Sequence, residues 1–398
     1  LKEVQGPATL DEVGATDGAT LFLVVQPALL VASASMFSDK GKVKIWNATA
    51  GQCLHTLTGV SSRSEASFVT FSPDGRKVLA AFSEPRMARL WCAQSGDLLR
   101  ILQGHKDSVT FGSFSFDGKM VLTVSADATA KLWATAHDRV NGKCLHTLRC
   151  DGHFDVVAEF SADGRIVLTA NISDFVVKIW RANSGECLRT MTLGNPNPEP
   201  LPFLGVCKLS PSGQLILTVG DFNGAPKLWC ANSGDWRHTL GENGHHYVGC
   251  LPPPTFSPDG ELVLTGNGRG TNTLKLWSAI TGSCVHKLSV PRARRGITWD
   301  DFSYTEFSAD GQVLLAASPG GAVHLWSASS GEFLQTLRNS GVEWVGYRLS
   351  PDSGLVLTSY WHGALELWCV RSGECVQTLT GHRLAASEIA VTLFRSAG

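Results

Sequence analysis

Eight tryptophans, Trp46, Trp91, Trp133, Trp180, Trp229, Trp277, Trp326 and Trp368, recur down the chain with gaps of 45, 42, 47, 49, 48, 49 and 42 residues. A period of this size marks a repeat architecture, in which each unit is too small to bury its own faces and only stacked neighbours provide a core. Any fold for this chain must therefore repeat about eight times. Each Trp closes a short apolar run such as KIW, RLW, KLW or HLW.

The flanks repeat as well, most legibly in the third unit. Val109 to Phe116 leads into a turn at Phe116-Asp117-Gly118, followed by Met120 to Ser125, Ala128 to Trp133 and Lys143 to Leu148. These short pieces are rich in β-branched and aromatic residues and bounded by Asp, Gly or Ser, which is the signature of strands joined by hairpins. No stretch carries a long 3.6-residue period, so the spacing predicts an all-β chain of four strands per unit.

The turn between the first two strands recurs as FSPDG at Phe71–Gly75 and Phe256–Gly260. Variants are FSFDG from Phe114, FSADG from Phe160 and Phe307, LSPSG from Leu209 and LSPDSG from Leu349. Pro presets φ, while Asp and Gly supply local side-chain bonding and a positive φ. A second turn, NSGE, NSGD, SSGE, RSGE or ITGS, separates the third strand from the fourth.

At this point the chain resembles the WD-repeat family of β-propellers, over nearly its whole length. The family pattern has Gly-His before the first strand, Ser or Thr in the second, Asp before the third and Trp at its end, joined by hydrogen bonds. Only the third unit matches throughout, with His105, Ser125, Asp127 and Trp133, while the fourth keeps His153, Asp174 and Trp180. Elsewhere the Asp position holds Lys40, Pro85, Asn223, Thr271, Gly320 or His362, and no Asp follows any of the eight Trp. The resemblance implies an all-β propeller of WD-repeat type with eight four-stranded antiparallel blades; seven blades plus an extra unit is the alternative.

A four-stranded blade has two faces to bury, so blades stack side by side into a ring. The whole chain, 1–398, is assigned to one such domain. Gln5 to Leu10 reads as a trailing outer strand and Ser387 to Phe394 as a leading strand, so 381–398 is the expected ring-closing segment. A formal charge of −1 argues against a nucleic-acid footprint, which needs a basic stripe to displace counterions. No apolar run reaches the ~18 residues that span a bilayer.

Leu1 to Ala19 is mixed and polar, without a secretory pattern, and the chain starts without Met, so a removed targeting segment and an organellar address stay open. The sequons at Asn47 and Asn171 lie inside repeat elements. Of 11 cysteines, Cys53, Cys187, Cys284 and Cys375 fall seven residues after the repeat Trp, and Cys92, Cys230 and Cys369 directly follow it. Equivalent positions in neighbouring blades do not converge, Cys-x-x-Cys is absent, and the odd total opposes a complete disulfide framework. Buried or half-buried free thiols and an intracellular, cytoplasmic location are expected, with no metal and no cofactor.

No metalloprotease, serine-hydrolase, P-loop or sialidase-type motif is present. Gly266-Asn-Gly-Arg-Gly270 reads as a turn before the third strand of unit six. His105, Ser125 and Asp127 look triad-like on paper, but the resemblance makes them a structural network, and no catalytic residue is assigned.

What remains is recognition, carried by departures from the repeat. Loops entering the blades and turns before the Trp-bearing strands emerge on one rim. There His246, Tyr247, Arg292, Arg294, Arg295, Trp299, Trp344, Trp361 and His362 concentrate in units five to eight, with Tyr360 beside them. Arg, Trp, Tyr and His dominate binding hot spots, and the three arginines suit an acidic or phosphorylated segment. The expected function is a non-catalytic scaffold or subunit of a multiprotein assembly. The alternatives are a sensor or regulatory propeller of a longer polypeptide and, less favoured, a propeller enzyme. An enzyme would need polar side chains converging on the central channel, and nothing in the spacing supports that convergence.

Overall fold

A computed structural model describes residues 28–34, 42–58, 66–135, 142–150, 156–171, 176–192, 204–220, 225–241, 252–266, 273–290, 302, 304–317, 322–338, 344–360, 364–380 and 388–394. Among these all helix-or-strand structure is β, in eight four-stranded antiparallel sheets. Blades II to VIII run in chain order from inner to outer strand, starting at Ala66, Val109, Val156, Leu204, Thr255, Tyr304 and Trp344. Blade I is composite. Its inner strand, Glu388–Phe394, comes from the other end of the chain and pairs antiparallel with Ala28–Ala34, which leads to Val43–Asn47 and Gln52–Leu57.

The core explains why the ring closes. Each of eight apolar clusters is shared by two consecutive blades. One joins Leu357, Leu365 and Leu367 of blade VIII to Val31, Trp46 and Ile389 of blade I. All eight repeats are therefore blades of one propeller, which excludes the seven-bladed alternative.

Burial on both faces accounts for the composition of the second strands. Met120–Ser125 has five buried residues in succession rather than the alternation of a half-exposed strand. In blade IV, Val167 packs towards blade III and Leu168 towards blade V. The outer strand Cys187–Thr192 buries only Met191.

Two local devices repeat. At every repeat Trp the ladder between third and outer strands shifts register, as at Leu132/Trp133, so the Trp sits at a bulge that turns the outer strand. In the first turn, the Ser of FSxDG is a buried hub. Ser115 Oγ donates to Asp117 Oδ1 at 2.7 Å and accepts from the Met120 amide at 3.0 Å, while Gly118 turns the chain at φ 66°. That hydroxyl bond and the Lys119 amide hold Asp117 below the usual carboxylate range.

At the circumference neighbouring blades are also latched. His55, His146, His238 and His286 on outer strands each place Nε2 2.8–3.1 Å from a backbone carbonyl of the next blade, at Gln94, Asn183, Ile280 and Ser329. Gly185 lies beneath the His146 ring, where a Cβ would come within 2.6 Å.

Candidate functional site

Blade III contains the polar network most fully. Trp133, at the end of the third strand, donates Nε1–H to Thr123 Oγ1 at 2.8 Å; the same hydroxyl lies 2.8 Å from His105 Nε2, and His105 Nδ1 lies 3.1 Å from Asp127 Oδ2. Burial lowers the His105 pKa despite the attraction of Asp127, so the imidazole is neutral. Burial opposes ionisation of Asp127, but the Thr129 hydroxyl, the Lys106 amide and His105 outweigh it and keep it a carboxylate.

The hydroxyl that links Trp133 to His105 belongs to Thr123, not Ser125. Two residues apart on one strand, both face the same side, and only the register decides between them. Ser125 Oγ instead donates to the Asp107 carbonyl at 3.0 Å and accepts from the Asp127 amide at 3.1 Å. The triad-like trio thus makes no Ser–His bond among these contacts.

The Trp-to-hydroxyl bond recurs at Trp46–Ser33, Trp180–Thr169, Trp229–Thr218, Trp277–Thr265 and Trp368–Thr358, at 2.7–3.0 Å. In blade VII Ala316 takes the hydroxyl's place, and Trp326 Nε1 is buried without a hydrogen-bond partner among the described residues. His153 and Asp174 lie outside the described residues.

The same holds for most of the rim nominated from sequence: His246, Tyr247, Arg292, Arg294, Arg295, Trp299, Trp361 and His362 lie outside the described residues. Trp344 begins the inner strand of blade VIII. Tyr360 departs from expectation: it is fully buried at the end of a second strand, its hydroxyl bonded to Glu366, and so offers no contact surface.

The thiols also need correction, because Cys53, Cys187 and Cys375 are exposed rather than half-buried; all ten described cysteines are free. Hydrogen bonds from Ser233 and Arg237 pull Cys230 down to about 6.

Polar side chains do converge on the channel, contrary to the expectation from spacing. Seven inner strands share one register position, opposite a leucine of the second strand. Its occupants are Thr70 (Leu79), Ser113 (Leu122), Glu159 (Leu168), Lys208 (Leu217), Thr255 (Leu264), Glu306 (Leu315) and Arg348 (Leu357). This is the residue immediately before the Phe or Leu of each FSxDG-type turn, so a readable signal existed; only its convergence was hidden.

The charged members act in pairs across blade boundaries. Glu159 accepts the edge amide of Leu209 beside Lys208, and Glu306 accepts that of Leu349 at 3.0 Å beside Arg348. An inner strand has no ladder partner on its channel side, so each carboxylate satisfies an otherwise open N–H of the next blade. Arg348 bonds the Tyr304 hydroxyl and the Tyr347 carbonyl, and lies 5.4 Å from the Tyr304 ring centroid. Desolvation raises Glu159 to about 7, against the Leu209 amide and Lys208, and raises Glu306 as well. Burial lowers Lys208, with Glu159 opposing that shift and Arg348 adding to it.

A pH effect on stability follows. The folded pKa of Glu159 lies above its unfolded value, so its stabilising contribution is complete below about 4.5 and is lost as pH rises through about 7. Glu159→Gln keeps an oxygen for the Leu209 amide and removes the titration. The variant is expected to match the parent near pH 4 and to exceed it at pH 8 by about 3 kcal/mol. Denaturant midpoints measured at both pH values check this, and an identical parent–variant difference at both would contradict it.

The sequence model of the WD domain, G-beta repeat, matches residues 96–134, 142–181 and 235–278. Each window starts at the outer strand of one blade and ends on the third strand of the next, so every matched repeat stitches two blades together. Protein tipD of Dictyostelium discoideum is 26% identical over 295 residues, covering 74% of this chain and 38% of the relative. Human apoptotic protease-activating factor 1 is 25% identical over 62% of this chain and 18% of its own length. Human WD repeat and SOCS box-containing protein 1 is 32% identical over 24% of this chain and 22% of its own. The chain thus spans well under half the length of these relatives. A crystal structure of the computationally designed Ika8 protein shares the fold, with a TM-score of 0.63 at 19% identity, covering 82% of this chain and 90% of that one. Among the described residues no helix is long and apolar enough to cross a membrane.

Proposed function

We propose that this chain, as a member of the WD-repeat family of β-propellers, whose propellers generally mediate protein–protein interaction, is a non-catalytic scaffold for one or more protein partners. The observation that carries this reading is the use of its most enzyme-like residues. His105 and Asp127 are tied to Thr123 and Trp133 inside blade III, where they fix a loop to a strand. A platform requires that kind of rigidity, because a preformed surface binds without an ordering cost.

The contact surface we assign is the rim of blades V to VIII, with Arg292, Arg294 and Arg295 taking an acidic or phosphorylated segment. Ten free thiols favour a reducing, intracellular compartment. A second reading, a regulatory propeller within a longer polypeptide, draws support from the curated relatives, of which the chain matches 38%, 18% and 22%.

The test is capture of stoichiometric partners from a native lysate, with crosslinks mapped by mass spectrometry, for the parent and for a triple reversal of Arg292, Arg294 and Arg295 to Glu. A folded variant that loses crosslinked partners supports the assignment. Unchanged capture removes this rim, and capture of nothing by either protein counts against the scaffold.

A further inference from the structure

The charged arc of the channel is larger than closing the ring requires. In blades II, III and VI the same register is filled by Thr70, Ser113 and Thr255, so a small hydroxyl suffices there. In blades IV, V, VII and VIII the chain instead places two carboxylates and two cations where desolvation is costly. Each carboxylate is engaged by an edge amide of the next blade. The two cations, three blades apart, are close enough to oppose one another's charge.

Between them, at the end of the ring bearing the FSxDG turns, opens a cavity of about 720 Å³ lined by residues from blades IV to VIII. Its wall includes Thr305, whose buried hydroxyl has no hydrogen-bond partner among the described residues. The Tyr304 hydroxyl and ring hold the Arg348 guanidinium, so that cation is preorganised.

We propose that this channel mouth binds a compact multivalent oxyanion, clasped between Lys208 and Arg348. An anion seated there turns a repulsion between like charges into two charge-assisted hydrogen-bonded contacts, in a confined space where such contacts are strong. The volume suits a small molecule rather than a folded partner. Glu159 and Glu306, the acidic groups facing the site beside Lys208, Tyr304 and Arg348, are biased towards protonation. They therefore oppose the ligand less than two full negative charges, and binding takes up protons. None of the residues assigned to the partner rim takes part in this site, so the two assignments fail independently.

The experiment is calorimetric titration of the full chain with sodium pyrophosphate and with citrate, at constant ionic strength set by sodium chloride. One saturable site is expected, weakened at least tenfold by Lys208→Met and by Arg348→Leu. Lys119→Ala, which removes a lysine 80% exposed beside an FSxDG turn, is expected to leave binding unchanged. Tighter binding of pyrophosphate assigns the site to phosphoryl compounds, and tighter binding of citrate to polycarboxylates. In the unaltered protein, bound pyrophosphate is expected to protect Lys208 from acylation read by mass spectrometry, a test that does not depend on either variant folding. Absence of a saturable site, an equal loss in Lys119→Ala, or no protection of Lys208 overturns the proposal.

Discussion

A chain ending at residue 387 is expected to lose cooperative folding of the ring, with a stability loss on the order of 5 kcal/mol or more. The strand removed, Glu388–Phe394, pairs along its full length with Ala28–Ala34, from Ala28 opposite Phe394 to Ala34 opposite Glu388. It also supplies Ile389, 3% exposed, to the cluster between blades VIII and I. Without it blade I keeps three strands, the channel edge of Ala28–Ala34 becomes an open ladder, and apolar faces of two blades are bared. Because neighbour interfaces hold a repeat ring together, the damage is not confined to one blade. Thermal unfolding and size-exclusion chromatography read the result, and a peptide spanning 388–394 added in trans is expected to restore part of the loss. A truncated chain that melts as one sharp transition near the parent temperature would falsify the closure described here.

Trp133→Ala is expected to cost about 3–5 kcal/mol, the range for removing a large ring from a packed core. Trp133 is 1% exposed and packs against Leu79, Leu90 and Leu102 of blade II. Its indole N–H is bonded to Thr123 in the chain that ends at Asp127. The loss therefore combines a cavity between blades with a hydroxyl deprived of its donor. The reverse change tests the polar part alone. Trp326 is fully buried and its Nε1 has no hydrogen-bond partner among the described residues, while Ser33 already serves Trp46 at 2.8 Å in blade I. Ala316→Ser is accordingly expected to add about 0.5–1.5 kcal/mol. Chemical denaturation of both variants beside the parent decides the matter. A Trp133→Ala protein as stable as the parent would mean the ring does not sit in this interface.

The legible part of the fold is the part encoded by local chemistry. FSxDG turns are recognisable because Asp bonding and glycine φ act within five residues, and Ser115, Asp117 and Gly118 do so here. The Trp positions are legible because each repeat must fill the same gap between blades. Thr123 and Ser125 are equivalent candidates in sequence because a strand puts both on the same side, and only the pairing of Trp133 with Val121 brings Thr123 under the indole. In sequence Tyr360 falls in the turn before a third strand and suggests a rim residue, whereas in the structure it ends the second strand, fully buried, with its hydroxyl bonded to Glu366.

The sequence by itself determined the eight repeats, their strands and turns, and the resemblance to WD-repeat propellers, because these follow from a pattern repeated eight times within short windows; that all eight are blades of one ring was settled by the clusters shared between neighbours. Tertiary structure alone decided that Glu388–Phe394 completes the blade begun at Ala28, and that Glu159, Lys208, Glu306 and Arg348 form one charged arc. A closed ring converts distance along the chain into angle around an axis. Side chains one or more repeats apart become neighbours only when every strand stands in register, and no local stretch of sequence carries that information.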